Sequence, residues 1–129
     1  MSNKKSVLVI GIEPKWLDFS SPEFSSMPGI TAEKVSTGII GSINELNEVG
    51  YDAELCWIDG GETALDVLKA HLQKKEFACV LIGAGIRKLD SKFILFEKMI
   101  NTVHKYAANA KICFNTNPMD TVQSLQRWV

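Results

Sequence analysis

Ser6-Val7-Leu8-Val9-Ile10-Gly11-Ile12 is the stretch on which the fold turns. It carries no charge and no polar alternation, and most of its residues are β-branched. Such a run suits a strand covered on both faces, as the central strands of a parallel sheet are.

The chain beyond it alternates between helix-like and strand-like runs. Thr31 is placed to cap a helix in which Val35, Ile39, Ile43 and Leu46 recur at steps of three and four, and Gly50 stops that helix in the C′ position. Tyr51 to Ile58 alternates at its start and reads as a second strand at an edge. After the turn Asp59-Gly60-Gly61, a helix is expected over about Glu62 to Lys75, with Leu65, Leu68 and Leu72 on one face. Phe77 to Ile82 is a third strand, again solidly apolar, followed by a glycine-bearing loop, Gly83-Ala84-Gly85-Ile86-Arg87-Lys88. Asp90 or Ser91 is placed to cap a third helix with Phe96, Met99, Ile100 and Val103 on its inner stripe. Ala110 to Phe114 makes a short fourth strand. Asn117-Pro118-Met119-Asp120 then opens the last helix, with Asn at the N-cap, Pro at the first helical position and an acid at N3.

This order implies right-handed crossovers and a parallel sheet with helices on both faces. The expected fold is one α/β domain over residues 1–129, a doubly wound, flavodoxin-like three-layer sandwich. By analogy with such folds, the four-stranded sheet has the order 2-1-3-4. A chain of 129 residues has no room for a second domain.

Composition narrows the function classes. With 46% apolar and 22% charged residues and a net charge of -1, the chain is an ordinary globular protein without a field that would attract nucleic acid. Lys4 and Lys5 precede only Val7-Leu8-Val9-Ile10, too short for a signal-peptide core or a membrane span, so no membrane association and a cytoplasmic location are expected. Cys56, Cys79 and Cys113 each sit inside a strand-like run, which predicts small buried thiols; their spacing matches neither a disulfide framework nor a zinc site. His71 and His104 fall in different helices without a second ligand one turn away, so no metal site is expected. The chain has no Gly-x-Ser-x-Gly elbow, P-loop or Cys-x-x-Cys, which disfavours hydrolase-elbow acyl transfer, P-loop nucleotide hydrolysis and thioredoxin chemistry. No catalytic residue and no cofactor is assigned.

One stretch breaks the alternation. Residues Glu13 to Ile30 carry Pro14, Pro22 and Pro28 together with Trp16, Phe19 and Phe24, and the connection is longer than an α/β unit needs. It reads as a lid or a contact surface with exposed aromatics.

Doubly wound sheets bind ligands beyond the carboxyl ends of their strands, where the strand order reverses and neighbouring loops diverge. With strand 1 beside strand 3, that crevice gathers Gly11, Glu13 and Trp16 from the first loop, Gly83, Gly85 and Arg87 from the third, and Asn115 and Thr116 from the fourth. The glycines would let backbone amides approach an anion, and Arg87 would supply a planar donor fork for phosphate or carboxylate. Glu13, directly after strand 1, could act as a base or bind a cation. A tight strand-to-helix turn with a solvated arginine, and a solvated acid before Pro14, explain the same residues without a ligand.

In layout the chain resembles a response-regulator receiver domain shortened by one βα unit, over most of its length and in architecture alone. Where a receiver has an acidic pair after strand 1 and a phosphoacceptor aspartate after strand 3, this chain has Gly11-Ile12-Glu13 and Gly83-Ala84-Gly85; only Thr116 matches the receiver pattern. Aspartyl phosphotransfer is therefore not implied. The Ser/Thr-rich phosphate loop of flavodoxins is missing after strand 1, which weakens any inference of a flavin. The segments Val9 to Pro14, Ile82 to Arg87 and Cys113 to Pro118 are similar to those of small single-domain bacterial proteins of flavodoxin-like architecture, a resemblance that implies a bacterial source and no activity.

Two functions are consistent with these residues. The first is binding of a small anionic or phosphorylated ligand between the loops after strands 1, 3 and 4, with Glu13 to Ile30 as the lid. The alternative is a catalytically silent protein-interaction or homo-oligomerisation module that uses the same loop and the helix bearing Trp128.

Overall fold

The computed structural model describes residues 4–129; Met1, Ser2 and Asn3, the start of the short basic stretch read above, lie outside the described residues. The run quoted first is strand β1, Ser6–Ile12, and all its residues from Val7 to Ile12 are buried. On one side β1 pairs in parallel with β2 (Asp52–Ile58), in a register that runs from Ser6 opposite Asp52 to Ile12 opposite Ile58. On the other it pairs with β3 (Cys79–Ile82), which in turn pairs with β4 (Lys111–Phe114). The sheet order is therefore 2-1-3-4, as expected.

Among the described residues the α-helices are α1 (Ala32–Glu48), α2 (Ala64–Lys74), the single turn α3 (Ala84–Arg87), α4 (Phe93–Tyr106) and α5 (Thr121–Gln126). The period of two along β1 sorts them into layers. Leu8, Ile10 and Ile12 share a core with Leu68 and Leu72 of α2, Ile86 of α3 and Met99 and Val103 of α4. Val7 and Val9 face the other way, toward Leu46 of α1 and Val122 and Leu125 of α5. Each of these fully covered β1 side chains contributes roughly 1.5–3 kcal/mol. The result is a flavodoxin-like three-layer arrangement.

Element boundaries differ from expectation where a side chain intervenes. The Thr31 hydroxyl accepts the Lys34 N–H at 3.1 Å and starts α1 as read; Gly50, past its end, has φ +106°, a conformation that favours glycine. Helix α2 begins at Ala64, later than Glu62, because the Asp59 carboxylate accepts the N–H groups of Gly61 (2.9 Å) and Thr63 (3.0 Å) and holds the segment in a turn. Residues 83–88, read as a loop, contain helix α3. The third expected helix is α4, and it is entered through a 3-10 turn at Asp90–Lys92, so its N-cap is Lys92 and neither Asp90 nor Ser91.

Segment 13–30 is ordered by two 3-10 turns, Pro14–Trp16 and Pro22–Phe24, each opened by its proline. The expectation of three exposed aromatics is corrected: Trp16 is 53% exposed, whereas Phe24 is buried and its ring lies 4.9 Å from that of the half-buried Phe19. Two polar contacts fasten the segment. The Glu23 carboxylate accepts both the N–H and the hydroxyl of Ser91, each at 2.8 Å, and Lys34 Nζ donates to the Gly29 carbonyl at 2.9 Å.

Cys56, Cys79 and Cys113 are buried and free, with Cys79 Sγ donating to Cys113 Sγ at 3.4 Å between neighbouring strands. No helix among the described residues is long and apolar enough to cross a membrane.

Candidate functional site

The C-terminal edge of the sheet is drawn together by glycine and by one buried amide. The Gly83 N–H donates to the Ile10 carbonyl at 3.0 Å, and a Cβ at Gly83 would lie 2.9 Å from that same oxygen. Glycine is required there for space. The chain then turns into α3, whose first N–H, that of Ala84, donates to Asn115 Oδ1 at 2.9 Å. Asn115 is buried after β4, and its Nδ2 donates to the Thr121 hydroxyl at 3.0 Å, which itself donates to the Pro118 carbonyl. One side chain thus caps α3 and anchors the segment leading into α5.

Arg87 and Lys88 complete the clamp between β3 and β4. Arg87 Nη2 donates to the Asn115 carbonyl at 2.8 Å, and Lys88 Nζ to the Thr116 carbonyl at 2.7 Å. Arg87 Nε is enclosed and has no acceptor. Thr116 is committed as well: its N–H donates to the Asp120 carboxylate at 3.0 Å, and its hydroxyl donates to the same group. Burial works to raise the Asp120 pKa, but these bonds and the Asn117 N–H outweigh it and hold the carboxyl below the usual range. The capping box read at Asn117 and Asp120 is present, with Asn117 Oδ1 accepting the Met119 N–H at 2.7 Å.

Between these loops lies a cavity of about 160 Å³. Its floor and near wall are Val9, Ile10, Gly11 and Ile12 of β1 with Gly83, Ala84, Gly85 and Ile86. Val35, Ile39 and Ser42 of α1 line one side. Segment 13–30 roofs it with Leu17, Phe19, Phe24, Met27 and Ile30, and the rim carries Lys88, Asn115, Thr116 and Asn117. Lys88 is the one ionisable residue on this wall among the described residues. The Ser42 hydroxyl, inside, is used on the Ile39 carbonyl at 2.7 Å.

Of the residues expected at this edge, Gly11, Gly83, Gly85, Asn115 and Thr116 line the cavity, and Glu13, Trp16 and Arg87 do not. A Cβ at Gly11 would press on Trp57 at 3.2 Å and Ile39 at 3.3 Å, so this glycine admits α1 to the sheet; a Cβ at Gly85 would meet nothing within 4 Å. Glu13 pairs with Lys15 at 3.7 Å, and the exposed Trp16 ring lies under Lys15 Nζ at 5.4 Å. The sequence reading missed the apolar roof and Lys88. The signal for the roof was present in the spacing of Leu17, Phe19, Phe24, Met27 and Ile30 among the prolines.

Polar chemistry elsewhere is separate from this crevice. Toward the start of β2, Glu54 Oε2 contacts His71 Nδ1 and Oε1 contacts Lys74 Nζ at 3.2 Å. Burial alone would raise the Glu54 pKa, but the hydrogen bonds from His71 and Lys74 hold it below its ordinary value. Among the described residues no group of three or more His, Cys, Asp or Glu is placed to hold a metal ion. Comparison of the chain with family models, curated proteins and solved structures gave no match.

Proposed function

We propose that this protein binds a small molecule with an apolar body in the cavity at the C-terminal edge of its sheet, with segment 13–30 as the lid. The observation that carries the reading is a cavity of about 160 Å³ at the point where the strand order reverses, walled by aliphatic and aromatic side chains from β1, α1 and the roof. An apolar hollow of about this size stays dry and takes up benzene in other proteins. The polar groups at the rim are already hydrogen-bonded to one another, so shape and burial dominate recognition.

The roof favours this reading over a protein-interaction surface. Phe24 and Phe19 pack together over the cavity and not outward, and the Glu23 to Ser91 contact fastens them there. The Ser91 N–H and hydroxyl lower the Glu23 pKa against the opposing effect of desolvation, so the fastening persists at neutral pH.

The test is thermal unfolding with benzene, toluene and short alcohols as probes. Stabilisation of about 1.4 kcal/mol is expected at tenfold excess over Kd. Val35→Trp, which grows from the first turns of α1 into the cavity, removes the stabilisation while leaving the circular dichroism spectrum intact. No shift with any probe, together with no saturation transfer from protein to probe by NMR, would refute the reading.

A further inference from the structure

Resting on that binding site, we infer that its ligand is a small monocarboxylic acid: an apolar body that fills the cavity and one carboxylate that meets Lys88 at the mouth. Size sets the body. A cavity of about 160 Å³ is close to the hollow that accommodates benzene, which limits the enclosed part to roughly six to ten carbon atoms.

Charge sets the head. The wall carries one ammonium, Lys88, and no Asp, Glu, His or Arg among the described residues. A lysine ammonium has three donors, and Lys88 uses one on the Thr116 carbonyl at 2.7 Å. The Lys88 side chain is exposed, so a carboxylate bound to it keeps part of its hydration and the apolar body alone goes under the lid.

A phosphate monoester fits less well. It carries nearly two charges and three strong acceptors and is best met by a guanidinium fork or several donors. Arg87, the guanidinium of this edge, lies off the cavity wall and is committed to the Asn115 carbonyl. Asp120, bonded to Thr116 at the rim, adds a negative charge that opposes a dianion more than a monoanion. Of the anionic and phosphorylated ligands that the sequence allowed, a carboxylate is therefore the one favoured here.

The experiment is calorimetric titration of the full chain at fixed ionic strength with phenylacetate and hexanoate, their neutral amides, and phenyl phosphate. The acids are expected to bind roughly fivefold more tightly than their amides, the size of a partly solvated charge-assisted contact, with phenyl phosphate no tighter than the acids. Lys88→Met, a change at an exposed position, erases that difference. Acid and amide binding equally, with both lost in Val35→Trp, overturns the carboxylate assignment and leaves the cavity as the site. If no probe binds, the site reading fails and this inference falls with it.

Discussion

Asn115→Ala is the sharpest perturbation of the edge that holds the site. The substitution removes two hydrogen bonds made by a buried side chain, to the Ala84 N–H at 2.9 Å and the Thr121 hydroxyl at 3.0 Å. Leaving the Ala84 N–H without its acceptor costs about 1–3 kcal/mol, and the neutral bond to Thr121 is worth roughly 0.5–1.5 kcal/mol. The expected loss is therefore about 2–4 kcal/mol, a large share of the ~5–15 kcal/mol that holds a domain folded. At about 2.1 cal/mol/K per residue over 129 residues, the unfolding entropy is about 0.27 kcal/mol/K, so Tm falls by roughly 7–15 °C. Urea unfolding followed by circular dichroism measures the loss, with the slope m unchanged if the substitution acts on the folded state. Thr121→Val tests the same network from the other end. The double variant should fall short of additivity by about 0.5–1.5 kcal/mol, since the two side chains share one bond. A loss below about 0.5 kcal/mol in Asn115→Ala would refute the assignment of Asn115 as the joint between β3 and β4.

Three further outcomes are expected. Gly83→Ala places a Cβ 2.9 Å from the Ile10 carbonyl and should destabilise by about 1–3 kcal/mol, whereas Gly85→Ala meets open space inside a helical turn and should stabilise by about 0.5–1 kcal/mol; equal effects in urea unfolding would contradict this distinction. Because the Glu54 pKa is lowered in the folded state, its contribution is complete above the ordinary glutamate range and is lost as pH falls below about 4, so Glu54→Gln should flatten the acid limb of stability against pH; an unchanged limb would count against the His71 and Lys74 contacts. Cys56, pushed up to about 12 by burial, should resist a thiol reagent in the native protein along with Cys79 and Cys113, and all three should react on unfolding; rapid modification of the folded chain would show that the core is open.

The fold was legible because both faces of a central parallel strand must be covered, and β1 and β3 declare that locally in their unbroken apolar runs. Helix α3 was not. Its four residues include a glycine and make too short a run for periodicity, and its cap comes from Asn115, thirty-one positions away. For the same reason Asn115 and Arg87 looked like ligand donors: short-range patterns mark a polar residue after a strand but not the distant backbone group that already occupies it. Thr116 is different, since its partner Asp120 is four residues on and already stood in the recognised capping segment.

The character of the site follows from this division. Asn115, Arg87 and Lys88 bond across the loops after β3 and β4 and close the ends of those strands against one another, so much of the polarity visible in the sequence is spent on architecture. What remains open is an apolar hollow assembled from β1, segment 13–30 and α1, which follow one another in the chain, and from α3, which comes later. The long connection is then accounted for by its contents: prolines begin its two turns, Glu23 fastens it to Ser91, and Phe19 and Phe24 close it over the sheet. The crevice where the sequence suggested an anion held by arginine and backbone amides is lined mainly by apolar side chains, with Lys88 as the charged residue of its wall among the described residues.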